Sequence, residues 1–188
     1  MFLKLLLGFA PWLAFLFIAH GSLFRLKLGL ITALVLTVIM GVLRLHRGVI
    51  LWMGLLFFGY ALVAVFVFEN MWTVRFMGVL ANAALGLGVW ITLGMGKPFS
   101  LDYARGHTDP SLWNDPVFLR TNTRISLVWG LVFTVNAGIA LNKALAPVMP
   151  DLAYEFLTYA VLLGTLVFTT WYPKAVHRRQ AALRRAAS

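Results

Sequence analysis

Residues 49–68 read VILWMGLLFFGYALVAVFVF, an unbroken apolar run without one charge. A hydrocarbon layer about 30 Å thick takes about 20 such residues to cross as a helix. An unpaired backbone N–H or C=O in that layer costs several kcal/mol, and a helix pairs these groups within one segment. This stretch sets the fold class, an all-α polytopic membrane protein. Further windows of the same character lie at about 5–20, 28–43, 74–93, 125–146 and 152–171. The expected fold is therefore about six transmembrane helices, of which the first two are short. Residues 21–27, 44–47, 69–73 and 147–151 are tight links, which make successive helices antiparallel neighbours in three helical hairpins. One connection, 94–124, is long. The expected organisation is a single bundle over 1–172 and a basic tail over 173–188.

Composition supports this reading. The 188 residues are 61% hydrophobic and 12% charged, against about 25% charged in soluble domains, and the mean hydropathy is +0.87. That excludes an ordinary soluble domain and a disordered chain. Cysteine is absent, which removes disulfides, thiolate metal sites, iron–sulfur clusters and cysteine nucleophiles. Residues 1–21 have the look of a leader, with Lys4 ahead of an apolar run. With Pro11-Trp12 in mid-run and further spans following, they are expected instead to form the first helix.

The net charge of +10 belongs to the links and the tail. No basic stretch carries interleaved aromatics, so nucleic acid is not expected. With six spans, one face receives Lys4, Arg44, Arg47, Lys97, Arg105, Arg120, Arg124, Lys174, Arg178, Arg179, Arg184 and Arg185. The other receives Arg25, Lys27, Arg75 and Lys143. The positive-inside rule then puts both termini and loop 94–124 in the cytoplasm, in a bacterial inner membrane, with anionic head groups as lipid partners.

Two segments echo each other. Leu51-Trp52-Met53-Gly54-Leu55-Leu56-Phe57 in the third span resembles Leu127-Val128-Trp129-Gly130-Leu131-Val132-Phe133 in the fifth. A duplicated hairpin gives such a pattern.

The long loop holds the local signals. Pro98 stops the fourth span from running on. Asp109-Pro110 and Asp115-Pro116 are helix starts, with Asp as cap and Pro in the first turn. A short helix is expected over 110–114, and a new one from Pro116 into the fifth span. Phe99, Trp113 and Phe118 suit the head-group interface, so the loop should lie on the membrane. Asp102, Tyr103, Arg105, His107, Asp109 and Asp115 also gather here. Carboxylates with His suggest a metal or acid–base site. Their spacing matches no metal motif, and capping together with an Asp102–Arg105 pair at i,i+3 explains them more simply.

Polar groups deep in the spans are scarce. Asn82 and Asn136 are expected to hydrogen-bond between helices. Gly78, Asn82 and Gly86 recur at four-residue spacing and let another helix approach closely, within the chain or in a homo-oligomer. Lys143 and Glu155 are placed to pair near the non-cytoplasmic end. His20, His46, His107 and His177 all fall at or beyond span ends, so no haem is expected, and no other cofactor or metal is. The tail carries Lys174, Arg178, Arg179, Arg184 and Arg185 around Ala181-Ala182-Leu183, a short basic amphipathic segment expected to lie along the leaflet.

Phe9-Ala10-Pro11, Gly96-Lys97-Pro98, Pro110-x-x-Trp113 and Trp129-x-x-x-Phe133, in this order among tight hairpins, resemble the intracellular septation protein A (YciB-type) inner-membrane family. The resemblance covers about residues 5–172. It departs at Leu101-Asp102-Tyr103-Ala104-Arg105, at Asn122 and in the basic tail. It implies a bacterial inner-membrane protein tied to septation, envelope synthesis and division-complex contacts, and no catalytic residues.

The functional expectation is a non-enzymatic membrane scaffold or accessory subunit with a membrane-protein partner. Its contact residues would be Lys97, Trp113, Arg120, Arg124, Lys174, Arg178 and Arg179. The alternative is a small transporter or lipid-handling protein with a polar path near Asn82 and Asn136. A third reading, an enzyme, requires Asp102, His107 and Asp109 to converge.

Overall fold

A computed structural model describes residues 7–43 and 48–186, without the side chains of 107, 183, 184 and 186. In chain order the helices are α1 (Ala10–Ile18), α2 (Leu23–Val42), α3 (Val49–Phe66), α4 (Met71–Arg75), α5 (Met77–Gly94), α6 (Ser100–Ala104), α7 (Pro116–Leu145) and α8 (Asp151–Ala186). Among the described residues there is no strand. Five helices are long and apolar enough to cross a membrane: α2, α3, α5, α7 and, over Asp151–Ala182, α8. Neighbours pack in the order α1–α2–α3–α5–α7–α8, and the α5–α7 seam is the most extensive.

The first expected span, 5–20, lies partly outside the described residues. Its described helix has nine residues, about 14 Å at 1.5 Å per residue and less than half the hydrocarbon thickness. It is central rather than peripheral. Phe9 stacks on Trp129 at 5.1 Å between ring centroids, and Trp12 stacks on Phe57 at 5.2 Å. Phe15 meets Phe57 and Phe58. Such pairs contribute about 0.5–1.5 kcal/mol each beyond area. Residues 1–6 lie outside the described segments.

The link 21–27 is also shorter than expected. Ser22 caps α2 by accepting from the Arg25 N–H at 3.2 Å, so the helix starts at Leu23 and carries Arg25 and Lys27 in its first turns. Asn70 caps α4 in the same way, accepting from the Thr73 N–H. At its far end α5 closes on Gly96, whose φ of 69° lies in the left-handed region. The Lys97 N–H donates to the Thr92 carbonyl and the Gly96 N–H to that of Leu93, which satisfies two carbonyls left open by the helix end. Pro98 therefore follows a stop that Gly96 has already made.

Glycines set the α5–α7 spacing. A Cβ on Gly78 would meet the Ala140 Cβ at 3.3 Å, and one on Gly86 the Phe133 Cβ at 3.5 Å. Gly88 faces α3 instead, against Met53 and Val49. The face away from the loop is tied by polar contacts. Lys143 reaches Asp151 at 3.4 Å and Glu155 at 3.8 Å. His20 bonds Tyr159 at 3.0 Å. The Arg75 guanidinium donates twice to the Ala144 carbonyl at the end of α7.

Candidate functional site

The site lies where loop 94–124 meets the ends of α7 and α8. Its foundation is a buried hydrogen-bond network. The Ser100 hydroxyl donates to the backbone and side-chain oxygens of Asn122, at 2.9 and 3.0 Å. The Ser126 hydroxyl donates back to Ser100 Oγ at 3.1 Å, and the Asn122 amide donates to the Phe118 carbonyl. Ser100, Asn122 and Ser126 are all buried. These bonds hold α6 against the side of α7, two to three turns inside its start.

This corrects the expectation that the whole loop lies on the membrane. Phe99 is not an interfacial residue but 1% exposed, edge-on to Phe9 and Tyr103. Tyr103 is buried as well, and Gly8 lies so close that a Cβ there would fall 2.5 Å from its hydroxyl. Burial pushes the Tyr103 phenol up, and the neighbouring Asp102 charge adds to it. α6 thus fills space under the N-terminal end of α1.

The rest of the loop is superficial. The 110–114 helix expected there is a single 3-10 turn, Pro110–Leu112. Asp109 accepts from the Ser111 N–H at 2.9 Å, and bonding to Ser111 holds its carboxyl below the usual range. Asp115 caps α7, its Oδ1 accepting from the N–H groups of Val117 and Phe118 at 2.6 and 3.1 Å. Asp115→Ala should cost about 1 kcal/mol, whereas Asp115→Asn, which keeps the acceptor, should cost little. Thermal midpoints in detergent check this pair.

Trp113 is half-buried and donates to the Thr108 carbonyl. Arg105 sits over its ring at 5.4 Å, while its charge also acts on Asp102. Asp102 lies against Gly48 at the start of α3. Burial raises its carboxyl, and the Arg105 charge lowers it by less. Asp102 and Asp109 are thus engaged separately, and the side chain of His107 lies outside the description. Among the described residues no group of three His, Cys, Asp or Glu is placed to hold a metal.

Lys97, Arg120, Arg124, Lys174, Arg178 and Arg179 are exposed. Arg124 bonds the Tyr172 hydroxyl at 2.6 Å. The tail continues the last long helix. α8 runs on through Pro173 to Ala186 as one helix of 36 residues, about 54 Å long and well beyond the hydrocarbon layer. Its last turns, the loop and the start of α7 enclose a cavity of about 380 Å³. Sequence reasoning missed its α8 wall, Pro173, Val176, His177, Gln180 and Ala181. Their i, i+3, i+4, i+7, i+8 spacing was the available signal.

The bundle centre is different in kind. A crevice of about 140 Å³ is lined by rings of Phe9, Trp12, Phe15, Trp129 and Phe133, and by Asn82. The expected interhelical bonds of the two asparagines are absent. The Asn82 amide donates to the Gly78 carbonyl of its own helix at 2.8 Å. Asn136 is 1% exposed, and neither its Oδ1 nor its Nδ2 finds a partner.

Comparison of the chain with protein-family models, curated proteins and solved structures finds no match.

Proposed function

We propose that this chain is a non-enzymatic scaffold or accessory subunit of a larger complex in the bacterial inner membrane, acting in envelope or division processes. One observation carries the reading. The bundle centre is packed with aromatic rings, while Lys97, Arg120, Arg124, Lys174, Arg178 and Arg179 stand exposed around the loop and the end of α8. A transporter needs a polar route to the midplane. The crevice beside Asn82 is small and aromatic, which argues against one. The finer topology belongs to the proposal too. The short N-terminal helix counts as the first of six membrane segments in three hairpins, and the cationic face is cytoplasmic by the positive-inside rule. The resemblance to the septation protein A family supports the division setting.

The test is purification at native expression level in a mild detergent, with the retained proteins and lipids identified by mass spectrometry. The expected result is a stoichiometric integral-membrane partner, lost when Lys174, Arg178 and Arg179 are changed together to Ala. A chain that emerges without any protein partner overturns the proposal.

A further inference from the structure

The cavity at the end of α8 has a direction. α7 and α8 run antiparallel, with Arg124 bonded to Tyr172 and Trp129 Nε1–H donating to Thr169 Oγ1. In that register Ile125 and Pro173 form the deep end of the cavity, and Asp115 and Ala181 the outer end. The two ends are about 15 Å apart along α7 at 1.5 Å per residue. The inner part holds Ile125, Val176 and Pro173 with Thr121 and Asn122, and the outer part holds His177, Gln180 and Asp115 with Phe118 and Leu112.

The outer polar groups have capacity to spare. Thr108, Thr121 and Asn122 spend their side-chain donors on carbonyls of their own segments. Among the described residues, the side chains of His177 and Gln180 take no hydrogen bond. Both capping bonds of Asp115 fall on Oδ1, which leaves Oδ2 for another donor. Among the described residues of the wall, Asp115 is the one formally charged carboxylate, and neither Lys nor Arg lines it. The cations Lys174 and Arg178 flank the wall on α8, next to Pro173 and His177.

We propose that this cavity binds one phospholipid with a primary ammonium head group, an ethanolamine-type lipid drawn from the adjoining leaflet. The order of its parts is the order of the walls. The acyl end meets Ile125 and Val176, and the phosphate lies at the level of His177 beside Arg178. The ammonium, outermost, donates to Asp115 Oδ2. A charge-assisted hydrogen bond from ammonium to carboxylate is the strongest contact the wall offers. The volume is that of a small-molecule site. A choline head group has the same charge and no N–H, so it fills the space without making that bond.

The experiment uses the full chain, reconstituted in vesicles of equal phosphatidylethanolamine and phosphatidylcholine, then extracted gently and assayed for retained lipid. The expected result is about tenfold enrichment of the ethanolamine lipid over the choline lipid, the equivalent of one charge-assisted hydrogen bond. Asp115→Asn keeps the helix cap and should bring the ratio close to one. Ala181→Trp, on the exposed end of α8, should fill the mouth and abolish retention without touching the cap. Equal retention of both lipids by the unaltered chain overturns the proposal, as does enrichment that survives either variant in folded form. These readouts need no protein partner, so they stand or fall apart from the scaffold reading.

Discussion

Trp129→Ala is expected to destabilise the bundle by about 3–5 kcal/mol, the usual cost of truncating a large buried aromatic. Trp52→Ala should change stability by no more than about 0.5 kcal/mol, as for an exposed substitution. The two residues occupy similar sequence surroundings, a Trp just ahead of a Gly with a Phe three residues beyond it. Their environments are opposite. Trp129 is 3% exposed, stacks on Phe9, tilts against Phe133 at 5.4 Å and donates to Thr169 at 3.0 Å. Trp52 is 63% exposed on the outside of α3. Because an apolar side chain loses little on moving from core to lipid, the penalty at Trp129 comes from the cavity and the lost contacts rather than from exposure to water. Reversible unfolding in mixed micelles, with the midpoint read for both variants, checks the difference. Equal losses at the two positions would show that α1 does not sit against α7.

The same pair shows what the sequence reveals and where it stops. Gly54 and Gly130 are both turned inward, and Phe57 and Phe133 are both buried. The repeated Gly-x-x-Phe therefore marks a buried face in each helix. The Trp stands two residues before Gly54 but one before Gly130, a rotation of about 100° on a helix of 3.6 residues per turn. That shift carries Trp52 to the outside and leaves Trp129 within. Periodicity is legible here because burial changes side-chain size and packing. It is weak for choosing between lipid and core, since both are apolar, and that is why the central position of α1 was not legible.

The loop divides in a similar way. Both Asp-Pro pairs read correctly as starts, because capping is local chemistry between a side chain and the next few N–H groups. The burial of Phe99, Ser100 and Tyr103 was hidden, because Phe99 and Tyr103 pack against Phe9 and Gly8, about ninety positions earlier. The cavity lining on α8 was hidden by composition. A run of Arg with Ala reads as a short basic segment lying along the leaflet, and the apolar stripe of Pro173 and Val176 gains meaning only once the helix is seen to continue past Trp171.

Asn136→Leu is expected to stabilise the protein by about 1–3 kcal/mol, the penalty of a buried polar group left unpaired. Leu has the same branching as Asn, so the substitution exchanges two unpartnered polar atoms for methyl groups in the same space. The sign is unusual, because most core substitutions destabilise. It follows from the asymmetry between the two asparagines. Asn82 lines the crevice and satisfies its amide on Gly78 within its own helix, so Asn82→Leu should be near neutral. Asn136 stands at the same level of the seam, between the Gly78–Ala140 and Gly86–Phe133 contacts, with both amide atoms unpaired. A polar group kept at such a cost in a packed centre marks either a tolerated flaw or a contact that another state of the molecule uses. Stability and complex formation measured together separate these meanings. A more stable Asn136→Leu that still recovers its partner marks the amide as dispensable. A more stable variant that loses the partner places Asn136 at a working contact. A variant that is less stable shows that the amide is paired across the seam, with Asn82 as the neighbour at that level, and removes the basis for treating the centre as dry.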